Sequence, residues 1–121
     1  MHINLEAADQ NSIQAYSDEG IKVGSSTYQS SLIISTHEII SEWPISSIQE
    51  LDEESLEPLL RYQPKIIIIG HKQQGKFAPQ PTILALAKRR IGLETMSIGA
   101  ACRTFNVLLN EQREVVIGLI I

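Results

Sequence analysis

The chain reads GLETMSIGAACRTFN over residues 92–106, and this stretch decides the fold. Residues 93–98 predict a β-strand, and residues 100–110 have the spacing of an amphipathic helix, with Gly99 at the junction. In open sheets with helical crossovers, ligands gather outside the carboxyl ends of the strands, where a helix start presents unpaired N–H groups. Because such a helix start attracts anions, we predict that the functional site lies at this junction.

Another strand and helix precede this stretch. Residues 65–70 read KIIIIG, a continuous β-branched run that predicts a central strand covered on both faces. Pro81 opens a predicted helix that continues to residue 91 and ends at Gly92, and residues 115–121 predict a final strand. The order strand-helix-strand-helix-strand, with short links, is typical of an α/β unit.

The first half of the chain is predicted to be mostly β structure. Residues 12–16 and 21–23 flank a polar turn that ends in glycine, which predicts a hairpin. Residues 28–35 and 37–43 also suit extended chain. After them, an acidic segment leads into a short predicted helix with Pro58 in its first turn and, as its cap, the serine at position 55.

Length and composition narrow the class of protein. With 121 residues, 43% hydrophobic and 20% charged, the chain fits one folded domain over residues 1–121. Cys102 is the single cysteine, so an internal disulfide and a cysteine-based zinc site are excluded. The N-terminus has neither a secretion signal nor an Arg-rich transit pattern, and no apolar run approaches the ~20 residues that cross a bilayer. We therefore expect a cytoplasmic protein with no transmembrane segment.

Charge is distributed unevenly along the chain. Residues 1–64 carry two basic and eleven acidic side chains, whereas residues 65–121 carry eight basic and three acidic ones, so the net charges are −9 and +5. Between positions 65 and 103, Glu94 is the only acid among seven basic residues, which predicts a locally positive surface. The isoelectric point of about 5.3 and the 5% aromatic content argue against nucleic acid as a partner.

Four segments resemble one known family in their order and spacing. They are the strand at residues 66–70, the Pro-containing loop after it, GLETM at 92–96 and AACRTFNVL at 100–108. The family includes the mitochondrial respiratory complex I assembly factor three and its uncharacterised bacterial and archaeal relatives, and the resemblance covers essentially the whole chain. It implies a compact three-layer α/β domain around a mixed sheet and, in the mitochondrial members, a role in building complex I through protein contacts. It implies no known reaction.

Two departures from that family concern the predicted site. The family usually has Gly-Thr-Gly at the end of the central strand, where this chain has Gly70, His71 and Lys72. Lysine in place of the second glycine removes the freedom to adopt a positive φ and adds a mobile cation beside the crevice. Relatives also often place an acidic residue and a threonine where residues 97–99 read SIG. The acidic residue that could pair with Arg103 is therefore absent here.

We predict a binding crevice at this junction, formed by Gly70, His71, Lys72, Glu94, Gly99, Cys102, Arg103 and Asn106. Arg103 and Asn106 are one helical turn apart, so a guanidinium fork and an amide could recognise a carboxylate or phosphate together. The alternative is structural: Arg103 pairs with Glu94 or a carbonyl, and Asn106 caps a neighbouring loop.

His71 and Cys102 are the candidates for chemistry. A thiol near a helix N-terminus can have a lowered pKa and act as a nucleophile, although small cysteines also pack between helix and sheet. His71 follows a buried strand and suits a general base, or is a solvated loop histidine. No further residue completes a catalytic triad, and the three histidines are too scattered to bind a metal. We predict no catalytic residue, no metal and no cofactor.

The leading hypothesis is a non-enzymatic interaction protein that assists the assembly of a larger, respiratory-type complex through the crevice. The alternative is a small-anion-binding protein or an enzyme, in which Arg103 fixes a carboxylate or phosphate and His71 moves a proton. The expected partners are therefore proteins first and a small anion second, and a homodimer is compatible with both hypotheses.

Overall fold

The architecture is known from a computed structural model, which describes residues 11–17 and 19–121. Its strands form two sheets. The smaller sheet is antiparallel and contains three strands in chain order, β1 (Ile13–Ser17), β2 (Gly20–Val23) and β3 (Ser26–Tyr28). The hairpin predicted near the N-terminus is therefore confirmed as β1 and β2.

The larger sheet contains five strands, β4 (Leu32–Ile34), β5 (Ile39–Ile40), β6 (Ile66–His71), β7 (Gly92–Ser97) and β8 (Val115–Leu119). Their order across the sheet is β5-β4-β8-β6-β7. Strand β6 runs parallel to both β7 and β8, whereas β4 is antiparallel to β5 and β8, so the sheet is mixed. The helices are α1 (Glu57–Leu60), α2 (Gln80–Lys88) and α3 (Ile98–Asn110), with a 3-10 turn at Ile48–Glu50.

The five-stranded sheet is the middle layer and is covered on both faces. Ile67 and Ile69 belong to the core on one face, with Leu86 of α2 and Leu59 of α1. Ile68 points to the opposite core, which contains side chains of α3 and of the smaller sheet. Because successive strand residues point to opposite faces, this double burial requires the unbroken apolar run of β6. The predicted α/β fold with a mixed central sheet is thus confirmed.

Two predicted strands are wrong in extent. Residues 28–35 divide into β3 and β4, and the predicted strand at 37–43 contains only the two residues of β5. The reason is local backbone geometry, since Glu42 adopts a φ of 58°, which an extended strand does not allow. Trp43 then turns back and donates its backbone N–H to the Ser31 carbonyl at 2.8 Å.

The helix ends also differ from the sequence prediction. Helix α2 ends at Lys88, because Arg90 adopts a φ of 61° and Ile91 donates its N–H to the Leu86 carbonyl. Gly92, predicted to end that helix, instead begins β7. Helix α3 begins two residues earlier than predicted, with the Ser97 hydroxyl accepting from the Ala100 N–H.

Helix α1 has the predicted proline in its first turn but a different start. Its N-cap is Leu56, which makes no side-chain cap hydrogen bond. Ser55, the predicted cap, instead exchanges hydrogen bonds with Asp52, donating its N–H at 2.7 Å and accepting through its hydroxyl at 3.0 Å. In the described part of the chain, no helix combines the length and the apolar character needed to cross a membrane.

Candidate functional site

A cleft of about 650 Å³ opens at the carboxyl ends of β6 and β7. It lies at the junction of β7 and α3, where parallel strands end and a helix begins. Its lining comes from the end of β1, the loop after β6, the end of β7 and the first residues of α3, namely Tyr16, Ser17, residues 71–77 and residues 95–99.

Three of the eight residues predicted for the site line this cleft, namely His71, Lys72 and Gly99. The other five lie elsewhere. Gly70 is buried beneath α3, where an added side-chain carbon would lie 2.8 Å from the Cβ atom of Ala101. Glu94 is an exposed residue in the middle of β7. The structure therefore places only part of the predicted cluster in the cleft, and the rest in the core, on β7 and along α3.

His71 is the most enclosed polar group of the cleft, with 9% of its surface exposed. Its Nδ1 accepts a hydrogen bond from the Gln73 N–H at 3.1 Å, which assigns the ring proton of the neutral form to Nε2. Burial lowers the pKa of His71, because water no longer stabilises the imidazolium. The alternative of a solvated loop histidine is wrong, since His71 is the last residue of β6 and is buried.

Cys102 lies in the core between α3 and the sheet, with 3% of its surface exposed. Burial raises the pKa of its thiol to about 11, and the charge of Arg103 opposes this shift only in part. The burial of the thiol and the upward shift of its pKa both oppose the hypothesis of a nucleophilic thiolate at the helix start. The structure agrees with the alternative that Cys102 packs between the helix and the sheet.

Asn106 and Arg103 attach α3 to strand β1. The Asn106 amide donates through Nδ2 to the Ile13 carbonyl at 2.7 Å and accepts through Oδ1 from the Ile13 N–H at 2.8 Å. Arg103 donates through Nη1 to the Tyr16 hydroxyl at 2.9 Å. Among the described residues no ion pair joins Arg103 to Glu94, so that proposed pairing is wrong. Both polar atoms of the Asn106 amide are engaged with β1.

Gly99 gives Tyr16 its place at the rim of the cleft. A side-chain carbon at Gly99 would lie 2.5 Å from the Tyr16 hydroxyl oxygen and 2.8 Å from the ring carbon that carries it. No real side chain tolerates such distances, so glycine is required for the ring to lie against the start of α3. The hydroxyl of the same side chain then accepts the hydrogen bond from Arg103.

The rim of the cleft is cationic and aromatic. Lys72 and Lys76 are exposed there, and none of the described lining residues is acidic. Phe77 also lines the cleft and exposes 73% of its surface. Across the described residues, no group of three or more histidine, cysteine or carboxylate side chains is placed to hold a metal ion.

Sequence reasoning missed Tyr16, Phe77 and the strand residues 95–97 as parts of the cleft. Phe77 lies in a loop between a glycine and two prolines, and this setting is the available signal that it does not belong to the core. Tyr16 has no such signal, because it precedes α3 by more than eighty positions and meets it only in the folded chain.

Comparisons with known proteins agree with the resemblance seen in the sequence. The chain is 32% identical over 89 residues to the 13 kDa major membrane protein of Francisella tularensis subsp. holarctica (strain LVS), which covers 73% of this chain and 72% of that protein. It is 26% identical over 103 residues to the NADH dehydrogenase (ubiquinone) 1 alpha subcomplex assembly factor 3 of Bos taurus. That match covers 84% of this chain but 55% of the bovine protein.

A solved structure shows the same fold. The NMR structure of a Xanthomonas campestris protein superposes with a TM-score of 0.80 at 31% identity, over 89% of this chain and 82% of that one. The family model described as "Protein of unknown function (DUF498/DUF598)" matches residues 13–120. The chain therefore belongs to the DUF498/DUF598 family.

Proposed function

We propose that this protein is a non-enzymatic interaction protein that assists the assembly of a larger protein complex, with the cleft as its contact surface. The observation that carries the proposal is Phe77, a large aromatic side chain with 73% of its surface exposed at the rim of the cleft. Removing such a side chain from water contributes about 1.5–3 kcal/mol before the costs of association are subtracted. Aromatic residues beside a concave surface are frequent anchors of protein interfaces.

The surroundings of Phe77 support a protein partner over a reaction. Tyr16 contributes a second exposed ring, and Lys72 and Lys76 add positive charge at the same rim. His71 is the one imidazole in the described lining, and no described carboxylate stands beside it to orient the ring or share a proton. An aromatic and cationic rim suits a partner surface that is apolar at its centre and acidic around it.

The bovine relative supports the same proposal. Its name describes an assembly factor of an NADH dehydrogenase subcomplex, and the chain spans about half of its length, 55%. We extend to this chain the general role of assembly through protein contacts. A respiratory-type complex is the specific form of that role that the relative suggests.

Co-purification with matched variants tests the proposal. The tagged protein is expressed in its native cell as wild type, as Phe77→Ala and as Leu84→Ala, and the retained proteins are identified by mass spectrometry. Leu84 is the control, because it is also an exposed apolar residue but lies on α2 outside the lining of the cleft. We expect specific partners with wild type and Leu84→Ala that are lost with Phe77→Ala. Equal partner sets for all three proteins, or none with wild type after cross-linking, would refute the proposal.

Substitutions at Arg103 and Asn106 are unsuitable for this test. Both side chains hold β1 against α3, so their loss weakens the attachment of β1 as well as changing any surface. Phe77 makes no hydrogen bond to the described residues and is mostly exposed, so its truncation leaves the core unchanged.

A second candidate function is the binding of a small anion in the same cleft. The observation that favours it is the presence of Lys72 and Lys76 with no acid among the described lining residues. Titration with inorganic phosphate, followed by the amide spectrum, separates the two functions. Shifts at His71 and Lys72 that saturate and that weaken in Lys72→Gln support anion binding, whereas an unchanged spectrum excludes phosphate as a ligand.

A further inference from the structure

We infer that β7 is a docking edge, to which the partner adds an extended acidic segment as a further strand that directs one apolar side chain into the cleft. This inference rests on the proposed function, since it names the chemistry of the partner and the way in which it binds. It follows from three features: the outer edge of β7, with which no described segment pairs, the continuity of β7 with the cleft, and the charge around Phe77.

Strand β7 occupies the outer position of the five-stranded sheet and pairs with β6 along all six of its residues. Gly92 donates its N–H to the Lys65 carbonyl on the β6 side at 2.9 Å. Because the backbone groups of a strand alternate in direction, every second residue after Gly92 also faces β6. The N–H and C=O groups of Leu93 and Thr95 therefore face away from the sheet, and no described segment outside the sheet pairs with them.

This edge lacks most of the features that prevent strand addition. Proteins protect exposed edges with prolines, bulges, charges or very short strands. Strand β7 has no proline and an unbroken register, and its only charged residue is Glu94. The opposite edge of the sheet is β5, which has only two residues. The long edge at β7 is thus the one that suits pairing with a peptide strand.

The docking edge leads directly into the cleft. Thr95, Met96 and Ser97 belong both to β7 and to the cleft lining. A strand rises about 3.3 Å per residue, so a segment paired beside Leu93 reaches the cleft within two or three residues. At the cleft, the next side chain of the segment contacts Phe77, which is mostly exposed in the protein alone.

The charges define the composition of the segment. Lys72 and Lys76 at the cleft attract acidic residues at that end of the segment, whereas Glu94 in the middle of β7 disfavours an acid opposite it. Antiparallel pairing forms the more stable ladder, so the N-terminal end of the segment lies at the cleft. The expected partner sequence therefore has an aromatic residue between acids, followed by neutral residues with high β-propensity.

A synthetic peptide, acetyl-Glu-Phe-Glu-Thr-Val-Thr-Val-amide, provides the probe. We expect it to slow amide hydrogen exchange at Leu93 and Thr95 at least tenfold, because their N–H groups gain a partner. Exchange at Glu94 and Met96 is expected to change little, since these residues already face β6. A control peptide with lysine in place of both glutamates is expected to bind at least tenfold more weakly at low salt.

Two variants of the protein test whether the outward N–H of Thr95 binds the peptide. Thr95→Pro removes an N–H that faces away from the sheet. An edge strand tolerates proline at such a position, and the variant is expected to weaken peptide binding more than tenfold. Thr95→Val also loses the threonine hydroxyl but keeps the backbone N–H, so it is expected to bind the peptide at least tenfold more tightly than Thr95→Pro does. If Thr95→Pro fails to fold, the exchange pattern of the wild-type protein decides alone.

Three results would overturn the inference, and each leaves the proposed function distinguishable. Peptide shifts at Phe77 without protection of Leu93 and Thr95 would assign binding to the cleft but not to the edge. Absence of binding at about 1 mM peptide, with co-purified partners still lost in Phe77→Ala, would refute the docking edge alone. Protection of Leu93 and Thr95 that rises with protein concentration in the absence of peptide would identify a second copy as the occupant.

Discussion

Replacing Asn106 with alanine tests how α3 holds the three-stranded sheet against the rest of the molecule. The Asn106 amide makes two hydrogen bonds, both to the backbone of Ile13, at 2.7 and 2.8 Å. The two residues are 93 positions apart in the chain, so these hydrogen bonds form only in the folded tertiary structure. Ile13 is buried, with 6% of its surface exposed, so water cannot fully replace the lost partner.

The expected loss of stability follows from these two bonds. Each hydrogen bond contributes about 0.5–1.5 kcal/mol net, and a buried group that is left without a partner costs about 1–3 kcal/mol. Alanine regains up to about 0.7 kcal/mol through its higher helix propensity. We expect Asn106→Ala to lower the free energy of unfolding by about 2–3 kcal/mol, which corresponds to about 10 °C in Tm for a domain of this size.

Urea unfolding and amide hydrogen exchange measure the effect. Asn110→Ala is the matched control, because it makes the same substitution one turn later on α3 at an exposed position. We expect the control to change stability by less than about 0.5 kcal/mol. In Asn106→Ala, faster exchange is expected in β1 and β2 before it is seen in β6. Equal stability of the two variants would refute the account of Asn106 as the attachment of β1.

Three further predictions concern the core and the cleft. Gly118→Ala places a carbon 2.7 Å from the Trp43 ring, so we expect a loss of about 1–3 kcal/mol in urea unfolding followed by Trp43 fluorescence, and an unchanged midpoint would contradict it. Burial lowers the pKa of His71 from 6.5, so the unfolded chain binds a proton that the folded chain does not. Stability is therefore expected to fall as pH drops through about 6.5, and His71→Gln should flatten this dependence in urea titrations at several pH values. Cys102, with its pKa raised to about 11, should react with iodoacetamide about a hundredfold more slowly in the native protein than in urea, and labelling at the rate of a free thiol would show that the core opens there.

The predictions that succeeded rest on patterns that are local in the chain. The apolar run of β6 indicated a strand buried on both faces, and the periodicity of α3 indicated its buried side before any packing was known. The polar, Gly-ended turn indicated the hairpin of β1 and β2. Each of these signals lies within one element or one turn, where residue spacing and backbone preference decide the structure.

The predictions that failed depend on backbone states that propensity does not reveal. Glu42 and Arg90 adopt positive φ values of 58° and 61°, which end a predicted strand and a predicted helix. Such conformations are uncommon for residues with a side chain. Beside Glu42 the chain is held by the bond from the Trp43 N–H to the Ser31 carbonyl, and at Arg90 by bonds that close the end of α2. The helix ended before Gly92 because Ile91 returns to the Leu86 carbonyl, a contact that spacing alone did not indicate.

The candidate site shows the same division. The sequence by itself predicted that His71 and Lys72 stand where parallel strands end and α3 begins, and a cleft lies there, because this placement follows from chain order. Only the tertiary structure decided that Asn106 supports β1 and that Cys102 is buried. It also brought Phe77 and Tyr16 to the rim of one cleft. The physical reason is that such contacts join residues tens of positions apart, and their energies arise only when both partners leave water together.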